Sequence, residues 1–293
     1  MLKKLVYLFV IIYAFSTVQP QISADDYQHK KLWNDLIAAV NQEILEFPGK
    51  VGLALTDLTH DVSYTYNADH LMKSASIIKL PIMVAVFKEF NDGKISFTER
   101  YELTDAHRVG GSGKLKYAET GSWYTIYELV YIMISESDNT AAKMLTDIIG
   151  FSRMNEIFKS IGLTSTNISP QSFNLDDGEI AGESYTTVRD IAQVLTRIYG
   201  EELFQRYLSK QMIAILKMTV DRKRLNKFLP DDFELAHKTG LLRGACHDAG
   251  IVFSPHGDML LCVMTDNNGN YRQAKEFIAH IGDITYRWLE QFK

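Results

Sequence analysis

The chain has 293 residues, 46% of them hydrophobic and 23% charged, enough for a full buried core in one large domain or two. A formal charge of −5 and an isoelectric point near 5.9 give no electrostatic basis for binding nucleic acid. Two cysteines and eight scattered histidines suggest neither a disulfide framework nor a metal site, so no cofactor is expected.

The first 24 residues read as a secretory signal peptide. Lys3 and Lys4 precede the apolar run from Leu5 to Phe15, and Ile22-Ser23-Ala24 leads into Asp25-Asp26. The run is too short to span a bilayer, which takes roughly 20 residues. Cleavage after Ala24 removes two lysines, taking the charge from −5 to −7, and leaves no stable membrane anchor. The mature protein is then periplasmic or secreted.

From residue 28 to 47, Leu32, Trp33, Leu36, Ile37, Val40, Ile44 and Leu45 recur at helical spacing until Pro48-Gly49 ends the pattern. Val51 to Leu55 reads as a buried strand and Val62 to Tyr66 as an alternating one, with His60 a surface residue in the turn between them. From Ser76 to about Lys227 the periodicity is helical: Pro81 to Phe90, Tyr124 to Ile149 with a break at Ser135 to Asn139, Phe151 to Ile161, Thr187 to Tyr199 and Glu202 to Met218. The polar stretch from Thr164 to Tyr185 lacks periodicity, and an internal loop of that length is usually functional. Strands return at Glu234 to Gly240, Gly250 to Phe253 and Met259 to Met264, and residues 272 to 292 form an amphipathic helix. Cys262 is expected to face about residue 251, so Cys246 and Cys262 are read as free.

Two strands near the start and three near the end imply an α/β (α+β) fold: one antiparallel five-stranded sheet built from both termini and covered by the terminal helices. An all-helical insert packs beside it. The expected division is 25–75 plus 228–293 for the sheet unit and 76–227 for the helical unit, with a site in the cleft between them. No heptad or apolar patch pattern stands against a monomer.

Three short motifs carry the chemistry. Ser76-Ile77-Ile78-Lys79 places an amine one helical turn from a hydroxyl, where it can take the proton that makes serine nucleophilic. Ser137-Asp138-Asn139 falls in the break of the long helical segment, and Lys238-Thr239-Gly240 ends a strand. Each is trivial alone. In this order, 61 and then 101 positions apart, with these contexts, they resemble the set of class A serine β-lactamases and penicillin-binding proteins. The resemblance covers nearly everything after the leader.

The resemblance implies an acyl-enzyme at Ser76, with Lys79 as proton acceptor. Ser137 relays a proton to the leaving nitrogen in the field of Lys238, and Asn139 orients Lys79 and contacts the substrate amide. Thr239 binds the substrate carboxylate, Gly240 leaves room for the ligand, and the backbone amides of Ser76 and Leu241 bind the oxyanion. The ligand is a β-lactam or a peptidoglycan stem peptide. Two departures qualify this. The family's loop glutamate, in an E-x-x-L-N pattern, is replaced by Pro170 if Asn174 is the matching asparagine, or by Gln171 if the loop is aligned from Tyr185-Thr186-Thr187. Neither can be a general base, and Asp176, Asp177, Glu179 and Glu183 have no spacing in their favour. The family's carboxylate-binding arginine is also absent from the next strand, with Arg243 in the following loop, or less directly Arg272, as the replacement. His247-Asp248 is read as structural. Three functions follow: a class A-type β-lactamase with slow deacylation, a D-Ala-D-Ala carboxypeptidase or transpeptidase, and a penicillin-binding sensor without turnover.

Overall fold

The structure, a computed structural model, describes residues 24–173, 184–231 and 233–292. The leader therefore lies outside the described residues, save for Ala24.

Helix α1 (Ala24–Glu46) turns Trp33, Leu36, Val40 and Ile44 inward and is followed by β1 (Lys50–Asp57) and β2 (Val62–Tyr66). A short β3 (Met72–Lys73) leads through a 3₁₀ turn, Ala75–Ile78, into α2 (Lys79–Asn91). The chain then forms β4 (Arg100–Glu102) and β5 (Trp123–Thr125), a small antiparallel hairpin, before α3 (Ile126–Ser135), α4 (Asn139–Ile149) and α5 (Phe151–Ser160). The start of α3 is written locally: Thr125 and Glu128 close a reciprocal capping box, each accepting the other's backbone N–H. After the long loop come β6 (Tyr185–Thr186), which pairs with β3, then α6 (Val188–Tyr199) and α7 (Arg206–Lys217). The chain closes with β7 (Glu234–Leu242), β8 (Ala245–Phe253), β9 (Met259–Asp266) and α8 (Tyr271–Leu289).

The five long strands form one antiparallel sheet in the order β2-β1-β9-β8-β7, so the two ends of the chain meet at its centre. Alternation along these strands feeds two cores. On one face Leu53, Leu55, Cys246, Leu261 and Val263 pack against α1 and α8, where Trp33 meets Trp288 edge-on with ring centres 5.6 Å apart. On the other face Ala54, Ala249, Cys262 and Met264 join the apolar sides of α2 to α7. The two thiols are thus on opposite faces of the sheet; both are free and buried. Burial pushes the Cys262 thiol far up.

The structure corrects two strand expectations. Cys262 pairs with Ala249, and Cys246 with Thr265, rather than Cys262 with residue 251. The segment read as a loop before Gly250 is already strand: β7 and β8 are joined by the tight turn Arg243-Gly244, with Gly244 at φ +79°. The alternating apolar signal fails there because the strand buries His247 and Asp248. Their hydrogen bonds, not their apolarity, make that burial tolerable.

Candidate active site

The serine–lysine pair sits on the 3₁₀ turn and the first residue of α2. Pro81, in the first turn of α2, lacks an N–H where none is needed. The turn packs directly against β7. A Cβ on Gly240 would lie 3.1–3.2 Å from His247, Ala75 and Ile77, so this glycine permits the close approach of the serine-bearing turn. That is a packing reason, where the sequence suggested room for ligand.

Lys79 is buried, and its amine contacts Ser76 Oγ at 3.2 Å, Ser137 Oγ at 3.3 Å, the Ser137 carbonyl at 2.5 Å and Asn139 Oδ1 at 2.6 Å. Burial and then the charge of Lys238 hold its pKa well below the ordinary lysine value, with Asp138 opposing. From the other side the Lys238 amine donates to Ser137 Oγ at 3.0 Å and to the Thr239 carbonyl at 2.9 Å. Burial, followed by the charge of Arg224, lowers Lys238 to about 7, against the pull of Asp248 and Asp221. One hydroxyl therefore bridges two buried amines, each at reduced proton affinity.

The break between α3 and α4 places Ser137. It takes a left-handed backbone, φ 56°, and Asp138 then caps α4 by accepting the Ala141 N–H at 2.9 Å. The other oxygen of this fully buried carboxylate accepts the Leu115 N–H at 2.8 Å. Asn139 donates to the Gly110 carbonyl at 2.8 Å, and its own N–H reaches Ser112 at 3.1 Å. The segment 110–115 is thereby clamped to the break. Gly113 is required there: at φ +97° its Cβ would fall 2.1 Å from Asp138 Oδ2.

Ser76 lies between two lobes of a cleft. A lobe of about 150 Å³ is lined by Ser76, Lys79 and Asn139 with Ile168, Ser172, Phe173 and Ser184 from the long loop and its end. No carboxylate occurs among the described residues lining it. Gln171 is exposed, accepts a hydrogen bond from Ser169 and does not line the lobe; neither does Pro170. Asn174, Asp176, Asp177, Glu179 and Glu183 lie outside the described residues. The second lobe, about 240 Å³, is lined by Ser76, Lys238, Thr239 and Leu241 together with Lys223, Arg224 and Lys275.

Arg224 escaped sequence reasoning, because in the run Asp221-Arg222-Lys223-Arg224 it reads as one charge of a solvated loop. The fold buries it, pairs its guanidinium with Asp221 and brings Nε within 3.4 Å of Cys246 Sγ. Arg243, by contrast, is exposed in the hairpin turn and lines neither lobe. Arg272 is exposed at the start of α8 and lines neither as well. His247 Nδ1 accepts the Thr265 N–H at 3.3 Å, which leaves Nε2–H to donate to the Lys73 carbonyl at 2.8 Å. Burial lowers its pKa to about 4, so the ring is neutral. Asp248 takes the His237 ring at 2.7 Å and the Leu225 N–H at 3.2 Å. Both residues hold the sheet together and lie outside the cleft lining.

A family model described as the beta-lactamase enzyme family matches residues 35–289. The β-lactamase VEB-1 of Pseudomonas aeruginosa is 22% identical over 82% of this chain and 85% of its own. Among solved structures, a β-lactamase of Sphaerobacter thermophilus superposes with TM-score 0.81 at 26% identity, covering 89% of this chain and 99% of that one. A mutant of PBP-A, solved as an acyl-enzyme complex with penicillin G, superposes with TM-score 0.80 at 28% identity, covering 88% and 97%.

Proposed function

The chain belongs to the beta-lactamase enzyme family, and from that premise we propose that it is an exported serine hydrolase that opens the β-lactam amide through an acyl-enzyme at Ser76. The observation that carries this reading is the Ser137 hydroxyl bonded to both Lys79 and Lys238, with Ser76 Oγ 3.2 Å from Lys79. An amine of depressed pKa gives up its proton more readily than an ordinary lysine and can serve as a base. Lys79 takes the Ser76 proton as Oγ attacks the carbonyl carbon. The C–N bond then breaks, and Ser137 hands a proton to the leaving nitrogen while Lys79 or Lys238 replaces it. The backbone amides of Ser76 and Leu241 stabilise the oxyanion, Asn139 orients the substrate amide, and Thr239 with Arg224 receives the substrate carboxylate. The reaction requires no cofactor, and a single chain supplies every group. The sheet unit, 25–75 with 228–293, contributes Lys238, Thr239 and the Leu241 amide; the helical unit, 76–227, contributes the rest.

Deacylation is slow in this reading, because the loop-side lobe offers water no carboxylate base among its described residues. The same observation, with the likeness to PBP-A, supports a second reading: a D-Ala-D-Ala carboxypeptidase or transpeptidase acting on stem peptides. A sensor is less favoured, since no described helix is long and apolar enough to cross a membrane. Incubation with a chromogenic cephalosporin, following product and intact mass together, separates them. Multiple turnovers support the β-lactamase, and a persistent adduct absent from Ser76→Ala supports the peptidase. Neither product nor adduct in the wild type would sink both.

A further inference from the structure

Away from the cleft, the fold gathers two histidines that are remote in sequence. His29 on α1 and His60 in the β1–β2 turn both point at Asp57, the last residue of β1. His29 Nε2 and His60 Nδ1 each lie 2.8 Å from the same carboxylate oxygen, Oδ2. The three ligand atoms lie within 4.8 Å of one another, and among the described residues this is the single group of three with that property. None of the three lines either lobe of the cleft.

We propose that His29, Asp57 and His60 form a binding site for a divalent transition-metal ion of the zinc class, which clips α1 to the β1–β2 turn. The donor set is two imidazole nitrogens and one carboxylate oxygen, which suits Zn²⁺, Co²⁺, Ni²⁺ or Cu²⁺ and not the all-oxygen preference of Mg²⁺ or Ca²⁺. The ligands are already oriented. Asp57 is buried, and its second oxygen accepts the backbone N–H of Thr59 at 2.9 Å and of His60 at 3.1 Å, which aims Oδ2 at the two rings. The His29 ring packs against Trp288 and Phe292, and its centre is 4.1 Å from that of His60. Tetrahedral zinc with bonds of about 2.0–2.1 Å spaces its ligands by roughly 3.3 Å. The site therefore opens by about half an ångström from its 2.8 Å contacts. His60, with its side chain 49% exposed, can supply that movement, and its open side leaves a fourth position for water. On binding, the metal replaces the two N–H donors at Oδ2, and each neutral ring carries its proton on the other nitrogen.

The test is titration of the chelator-stripped protein with zinc chloride by calorimetry and with Co²⁺ by visible absorption. One ion per chain is expected, with Co²⁺ bands of four- or five-coordinate geometry and a zinc-dependent rise in melting temperature. His60→Ala and His29→Ala should each weaken binding at least tenfold. His60→Ala, being at an exposed side chain, should keep the far-UV spectrum and the rate of Ser76 acylation. No stoichiometric uptake would overturn the proposal. So would uptake unchanged in both variants, which would place the metal on another pair such as His280 and Glu43, 3.3 Å apart.

Discussion

Lys238→Met tests whether a buried amine has been kept at the expense of stability. The pKa of Lys238 falls from 10.5 to about 7 on folding. At about 1.4 kcal/mol per unit, the folded state at pH 7 carries a penalty of about 4 kcal/mol relative to a fully alkaline protein. The sign follows from proton counting. Between pH 7 and 10.5 the unfolded chain binds more protons than the folded one, so stability rises with pH across that window and is flat, at its lowest, below it. From pH 7 to 8.5 the wild type should gain about 1–2 kcal/mol that the methionine variant, similar in volume and uncharged, does not. Urea unfolding at pH 6, 7, 7.75 and 8.5 reads this directly. Making both measurements also in a Lys79→Met background removes the neighbouring amine, whose own titration responds to Lys238. The variant should be more stable than wild type at pH 6–7 and much slower to acylate. Parallel pH curves for wild type and variant in both backgrounds would refute the burial argument.

Gly113→Ala forces a Cβ to 2.1 Å from Asp138 Oδ2; it should cost about 2–4 kcal/mol in urea unfolding and slow acylation about tenfold or more, through displacement of the Asp138 cap. Ser172→Glu, which puts a carboxylate into the loop-side lobe, should shorten the life of the penicillin adduct by about tenfold or more, as followed by intact mass. Gln171→Glu, at an exposed position, should leave that lifetime within about twofold. Arg224→Ala should raise KM for a carboxylate-bearing β-lactam about tenfold and hardly change it for the methyl ester, whereas Arg243→Ala should change neither.

Much of the fold was legible because its signals are local. The stripe on α1, the alternation of β2 and the break at Ser135 to Asn139 are each written within a few residues. The extra length of β8 was not legible, since His247 and Asp248 look like loop residues until Lys73, Thr265, His237 and Leu225 are supplied by distant segments. Arg224 was missed for the same reason: its burial depends on partners from β8 and on the path of the chain before β7. The small strands β3 to β6 pair two or three residues each and carry no periodicity to detect.

The sequence by itself determined the residue types, their order and the elements that carry them: a serine and lysine one turn apart, a cap-rich break in a helix, and a lysine ending a strand. It also determined that the long loop lacks the expected glutamate in either alignment. Tertiary structure alone decided that a single hydroxyl, on Ser137, bridges two amines, because that requires α2, the α3–α4 break and β7 to converge within about 3 Å. It alone lowered both lysine pKa values, since burial, the repulsion of Lys79 by Lys238 and that of Lys238 by Arg224 exist only once those elements pack. It also placed Gln171 in solvent and Ser172 in the cleft, and brought His29 to Asp57 and His60. Spacing along a chain encodes which side chains share a face; which faces meet is set by packing.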